Sequence, residues 1–141
     1  KISLVGVADQ PGVAAKIFTA MEQHGFNTHL IVQSEHRAGQ NDISFLVGSD
    51  IVVRIEPHLD ELVKSVSAEQ AVVDEDVATI SVVGEGIQRE PGIAARMFTS
   101  LAQHDINLDL ISSSNLMLTC VIPESSIEQA VQTLHKEFFE D

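Results

Sequence analysis

The sequence contains no Trp and no Tyr, and only six Phe. A core built from it has to be aliphatic, with Val, Ile and Leu strands packed on helices bearing Ala and Leu. A single cysteine, Cys120, excludes an internal disulfide. It lies in the apolar run "LMLTCVI", which marks a buried, inert thiol rather than a nucleophile. Basic residues are scarce: 8 Lys and Arg stand against 21 Asp and Glu, for a formal net charge of −13. That field repels phosphate backbones and anionic headgroups, so nucleic acid and membrane are excluded as partners, and the excess acid reads as solubility. No window reaches the roughly 18 apolar residues of a membrane span. No secretory leader is visible, and the chain starts with Lys rather than Met, as a fragment or trimmed chain would. A cytoplasmic setting is the expectation.

What is present is a repeat. The 141 residues suit one ordinary domain or two small ones of about 70 residues each. Ile2-Ser3-Leu4-Val5-Gly6 matches Ile80-Ser81-Val82-Val83-Gly84, an offset of 78. From Pro11 and Pro91 the offset is 80, and it holds through Gly12/Gly92, Ala14/Ala94, Phe18/Phe98, His24/His104, Asn27/Asn107 and Ile31/Ile111. The second loop, between Gly84 and Pro91, is therefore longer by two residues. The chain is two copies of one unit, with boundaries expected at 1–76 and 77–141.

Each copy reads as β-α-β-β-α-β. "ISLVGV" has the β-branched richness of a strand. "ADQPG" is a turn, after which Pro11 suits the first helical position. Val13, Ile17 and Met21 share one helical face, with Ala14 and Phe18 beside them. Gly25 fits a left-handed helix end, a place that Asp105 takes in the second copy. "THLIVQS" and "DISFLV" read as strands two and three. Leu59, Leu62, Val63 and Val66 keep helical spacing. Pro57 there either starts the helix or kinks one begun near Asp50. "QAVVDE" reads as strand four. The second copy gives strand 77–84, helix 91–104, strands 107–113 and 115–122, and helix 124–138, whose Ile127, Ala130, Val131, Leu134 and Phe138 line one face. Its final strand is missing or supplied from elsewhere. The expected fold class is α+β: two ferredoxin-like units whose antiparallel sheets carry helices on one face and leave the other bare.

Catalytic patterns are absent. Neither "GVADQPG" nor "GEGIQREPG" has the spacing of a phosphate-binding loop, and no Gly-x-Ser-x-Gly is present. His24, His29, His36, His58, His104 and His135 are scattered, without metal-ligand spacing. His24 and His104 fall in the last turn of their helices, where an imidazole can cap the negative dipole end. "DEDVA" (74–78) reads as the linker between copies. No metal site and no cofactor are expected in this chain, and no catalysis.

The two loops remain. In each copy a strand ends in Gly, the chain turns through an acidic Pro-Gly segment, and a helix begins with free first-turn N–H groups. Those groups can receive a carboxylate, and Asp9 can receive an ammonium. A small zwitterion such as an amino acid satisfies both. The alternative is that Pro-Gly only makes a turn.

The stretches "ISLVGVADQPGVAAKIF", "FNTHLIVQS" with "NDISFLV", "VATISVVGEGI", "EPGIAARMF", "INLDLISSS" and "SIEQAVQTLHKEFF" resemble the ACT domain family. More narrowly they resemble the tandem ACT regulatory region of aspartate kinases (aspartokinases), over essentially the whole chain. The resemblance implies an amino-acid sensor that binds lysine, threonine or both and feeds back on an attached kinase domain acting on aspartate. It also implies a homodimer. ATP and Mg would belong to that kinase domain alone. Effectors in such regions lie between units. The match implies a site of Asp9, Gly12, Val13, Ala14 and Gln33 with Asn107 and Leu108 opposite, residues 12–14 taking the carboxylate through their N–H groups. A second possible cleft would use Glu90, Gly92, Ile93 and Ala94 with Asn27 and Thr28. Arg89 stands where the first copy has Asp9, and Ser113 where it has Gln33, so the two clefts are unequal in chemistry. Two other readings remain: a structural dimerisation module without effector, and a stand-alone ACT sensor.

Overall fold

The structure is a computed structural model and describes residues 1–140. It divides into two compact units, Lys1–Glu75 and the chain from Asp76 on.

In the first unit the order is β1 (Ile2–Ala8), α1 (Val13–Gln23), β2 (His29–Arg37), β3 (Gln40–Leu46), α2 (Val52–Ser65) and β4 (Gln70–Val73). The sheet order is β2-β3-β1-β4, with every pairing antiparallel. This is the ferredoxin-like arrangement. Ile2 lies opposite Phe45 and Leu4 opposite Ile43, so these four share a face. All four are buried, packed with Val13, Ile17 and Met21 of α1 and Ile55, Leu59 and Leu62 of α2. The ring of Phe18 meets that of Phe45 edge-on at 5.4 Å. Each such side chain contributes about 1.5–3 kcal/mol when fully buried.

The first helix starts later than the proline suggests. Pro11 lies in a turn, Gly12 is the N-cap with φ 91°, and α1 begins at Val13. The second copy repeats this, with Gly92 (φ 136°) ahead of α3 (Ile93–Ala102). A left-handed residue must redirect the chain between strand and helix, so Pro11 and Pro91 stop short of the helices. The other end follows expectation. Gly25 (φ 73°) closes α1, with Phe26 N–H donating to Met21 O at 2.9 Å and Gly25 N–H to Glu22 O at 2.9 Å. Asp105 (φ 56°) repeats that geometry, with Ile106 N–H on Leu101 O at 3.0 Å. Pro57 neither starts nor ends α2, but lies inside it. The carbonyl its missing N–H would have served belongs to Val53, a residue 76% exposed, where water can substitute.

The second unit contains β5 (Val77–Val83), α3, β6 (Leu110–Ser113), β7 (Met117–Pro123), a 3-10 turn over Glu124–Ser126, and α4 (Ile127–Phe139). Its sheet has three strands among the described residues, in the order β5-β7-β6. The core joins Ile80, Met97, Leu101, Ile106, Leu118, Cys120, Ile122, Ala130 and Leu134. Burial pushes the Cys120 thiol up to about 11. Arg96 fastens α3 to α4: its Nε donates to Glu137 Oε1 at 2.8 Å, Nη2 donates to Glu137 O at 2.8 Å, and its guanidinium covers the Phe138 ring at 4.6 Å. β6 starts at Leu110 and β7 at Met117, both later than their apolar patterns suggest. The sheet faces away from the helices are not uniformly bare, since Leu46, Thr119 and Val121 are buried there. Among the described residues no helix is long and apolar enough to cross a membrane.

Candidate functional site

The exit of β1 is bulged. The register shifts between Leu4 and Val7, and Gly6 adopts φ 67°. The Gly6 N–H leaves the ladder and donates instead to Asp42 Oδ1 at 2.9 Å. Asp42 Oδ2 lies 3.2 Å from Nδ1 of His36. The chain then passes under the tip of the β2–β3 hairpin, a two-residue turn of Ala38 and Gly39 in which Gly39 has φ 78°. Asp9 N–H donates to Gly39 O at 3.0 Å, and Asn41 Nδ2 donates to Asp9 Oδ1 at 3.0 Å. The hairpin thus fixes both the backbone and the carboxylate of Asp9, which stays exposed.

Four residues on, at Val13, α1 begins without a side-chain cap. Val13 N–H reaches Gln10 O only at 3.4 Å, and Lys16 N–H donates to Gly12 O at 3.0 Å. The N–H groups of Gly12 and Ala14 have no partner among the described residues. A Cβ added to Gly12 would meet nothing within 4 Å. The glycine therefore serves its left-handed backbone and leaves open space over the helix end. Exposed donors, a fixed carboxylate and room beside them can hold an anionic and a cationic group a few ångströms apart.

The second loop repeats the donors and changes the side chains. Ile93 N–H reaches Glu90 O at 3.4 Å, Arg96 N–H donates to Gly92 O at 2.8 Å, and Gly92 again has open space where a Cβ would be. The loop turns through Gly86, whose carbonyl accepts from the N–H groups of Arg89 and Glu90 at 2.9 and 3.0 Å. Here it is Gln88 that is tied to the neighbouring hairpin, by its Nε2 donating to Oδ1 of Asn115.

Asp9, Gly12, Val13 and Ala14 thus come together on one loop and helix start. Gln33 belongs to the same unit but to its edge strand β2, opposite Ile43 on the helix-bearing face, and is exposed. Asn107 and Leu108 lie just ahead of β6 in the second unit, with Glu90, Gly92, Ile93 and Ala94 on that unit's own loop. Asn27 and Thr28 precede β2, where Leu30 takes φ 51° and the register shifts between His29 and Val32. The matching Leu110 has no positive φ, so the approaches to β2 and β6 differ in backbone shape as well as sequence.

Asn41, Asp42 and Gly39 were not legible as site residues. The "NDISF" stretch read as a strand, and nothing in it says that its first two side chains reach back to β1. The histidines divide. His104 Nδ1 lies 2.9 Å from Ser100 O, as helix capping requires. His24 stands at the C-cap of α1 and stacks on His58, with ring centroids 3.8 Å apart. Grooves of about 450 and 540 Å³ run between the helices of each unit, away from the loops. Side chains of α1 and α2 line the first and side chains of α3 and α4 the second. No group of three or more His, Cys, Asp or Glu among the described residues could hold a metal ion.

The sequence model of the ACT domain matches residues 2–54 and 80–138, once on each unit. The chain belongs to the ACT domain family. As a tandem ACT pair it is a regulatory region of the aspartate kinase type. It is 35% identical over 138 residues to an aspartate kinase of Pseudomonas fluorescens, covering 98% of this chain and 33% of that one. The chain thus spans about a third of the length of the curated relatives it matches. Solved relatives share the fold of this ACT pair over nearly all of both chains. The aspartokinase alpha and beta subunit structure matches with a TM-score of 0.89 at 34% identity, covering 97% of this chain and 90% of that one. The ligand-free regulatory subunit of aspartate kinase from Thermus thermophilus matches with a TM-score of 0.89 at 30% identity and the same coverage.

Proposed function

We propose that this ACT pair senses an amino acid, lysine or threonine, and uses the binding energy to inhibit an attached aspartate kinase domain. The observation that carries the reading is the first loop. Unpaired N–H groups of Gly12 and Ala14 lie beside open space, three residues from a carboxylate clamped by Asn41. An α-amino acid carries the complementary carboxylate and ammonium. We assign the site to Asp9, Gly12, Val13, Ala14 and Gln33, with Asn107 and Leu108 from the second unit. The second loop, with Glu90, Gly92, Ile93 and Ala94 and with Asn27 and Thr28, offers the same donors without the clamped Asp. The first loop is therefore the stronger binder.

Inhibition would follow from population shift. An effector that binds the inactive arrangement better by about 1–3 kcal/mol moves the kinase equilibrium by that amount and no more. A homodimer, the kinase domain with its ATP and Mg, and a cytoplasmic setting belong to the same proposal. Similarity to regulatory subunits of aspartate kinase supports it. An NMR titration with lysine and threonine tests the placement directly. Amides of residues 12–14 and the side chain of Gln33 should shift first. Saturable shifts confined to the helix grooves would place the site elsewhere.

A further inference from the structure

The two units enter their second strands differently. Phe26 and Ile106 close the preceding helices in the same way, and both are buried. The repeat then runs without a gap, so that Asn27 matches Asn107, Leu30 matches Leu110 and Gln33 matches Ser113. Gln33 and Ser113 start level, opposite Ile43 and Leu118. Three residues along the neighbouring strands the pairing parts: Leu46 lies opposite His29, but Val121 lies opposite Leu110. β2 therefore holds one extra residue between His29 and Val32, and Leu30 absorbs it with φ 51°. β6 holds no extra residue, and Leu110 has no positive φ.

The extra residue comes out of the connection ahead of the strand. Asn27 and Thr28 alone link Phe26 to the first paired residue, His29, whereas Asn107, Leu108 and Asp109 link Ile106 to Leu110. Counted back from these pairs, Thr28 stands where Asp109 does and Asn27 where Leu108 does, and the place of Asn107 is skipped. In an extended segment a one-residue slip turns each side chain to the other face. Asn27 and Asn107 are thus equivalent in sequence but not in space. A left-handed conformation is strained for leucine, whose side chain offers no local hydrogen bond in return. β6 displays the unstrained alternative, a straight register with Leu110 opposite Val121. A strained residue retained beside a binding segment points to a role there.

We infer that Leu30 is a specificity-determining residue: its bulge keeps Asn27 out of the place that Asn107 holds, and so restricts effector binding to the first loop. This role depends on the amino-acid-sensing function proposed above and deepens it. The backbone of β2, and not only the exchange of Asp9 for Arg89, makes the two clefts unequal. A straight entry, with Leu30 opposite Leu46, would give Asn27 and Thr28 the places of Asn107 and Leu108. Gln33 lies beyond the bulge, in a register that the β2–β3 hairpin fixes, so the first loop's own partner on β2 stays where it is.

Two kinds of substitution bias the register in opposite directions. Leu30→Ile disfavours positive φ, because a β-branched residue does not tolerate it, and Leu30→Gly favours it. Leu30→Val repeats the first test with a smaller side chain, should Leu30→Ile fail to fold. Cross-strand NOEs read the register. Leu46 should neighbour His29 in the wild-type protein and in Leu30→Gly, and position 30 in Leu30→Ile. Calorimetry with lysine and with threonine reads the sites. One saturable site per chain is expected in the wild-type protein and in Leu30→Gly. Leu30→Ile should add a second, with the Kd of the first unchanged within about twofold. Two sites in the wild-type protein would overturn the inference without any variant. So would a single site in a straightened variant, or a register that both β-branched variants leave bulged. Binding absent from every form would remove the sensing function and this role together, whereas each other adverse result removes this role alone.

Discussion

The Asn41 amide donates a 3.0 Å hydrogen bond to the Asp9 carboxylate, and the hairpin carbonyl of Gly39 takes the Asp9 N–H at the same distance. Asn41 thus positions Asp9 without replacing it. Asn41→Ala should weaken effector binding by about 1 kcal/mol, roughly fivefold in Kd, while the thermal midpoint moves little. Calorimetry and a melting curve on the same variant separate these effects. Unchanged affinity would mean that Asp9 needs no clamp.

Asp42 anchors the bulge that aims the loop. Asp42→Ala leaves the Gly6 N–H without its 2.9 Å partner and should cost about 1–3 kcal/mol in denaturant unfolding. A neutral result would mean that water replaces the carboxylate.

Gly25 and Asp105 occupy one structural place at φ 73° and 56°. Only the second carries a Cβ there, so Asp105→Gly should stabilise the second unit by about 0.5–1 kcal/mol. The reverse change, Gly25→Ala, should destabilise the first unit. Equal and opposite shifts in urea midpoints are the expected signature.

Much of the architecture was legible, for one reason: the chain states it twice. Matching Ile2 to Ile80 and Pro11 to Pro91 fixed the unit, and the spacing of Val13, Ile17 and Met21 fixed the buried face of α1. The misreadings came from features that propensity cannot see. Proline marked the approach to each helix, but the left-handed glycine after it set the first helical residue. Pro57 left two readings open, a helix start or a place within a helix begun near Asp50; the helix does begin near Asp50, and the exposed face at Val53 tolerates the missing N–H. Asn41 and Asp42 were missed because their partners, Asp9 and Gly6, lie across a strand pairing that the sequence does not print. His24 does stand at the C-cap of α1, but its stacking on His58, which comes from the other helix, was not legible.

Cys120 sits in the core with its thiol pushed up to about 11 by burial. A thiol reagent at pH 8 should react with it only as fast as the second unit opens, and at once in denaturant. Fast stoichiometric labelling of the native protein would contradict the packing described around β7.

Arg96 holds the Glu137 carboxyl below the usual carboxylate range, chiefly by its hydrogen bond. A depressed carboxyl pKa adds stability above the unfolded value, and that stability is lost as pH falls through the folded one. Arg96→Met should return Glu137 to the ordinary range and remove its share of the acid sensitivity. An NMR titration of the Glu137 side chain reads this directly, and an unchanged midpoint would show that the ion pair is absent in solution.

The central claim is that the Asp9–Ala14 loop holds an amino acid. Isothermal titration calorimetry of the protein with lysine, threonine and an unrelated amino acid tests it most directly. The account predicts saturable binding of lysine or threonine that Asp9→Ala weakens at least tenfold, about 1.4 kcal/mol or more. No binding of either at millimolar concentration, or binding that Asp9→Ala leaves intact, would contradict it.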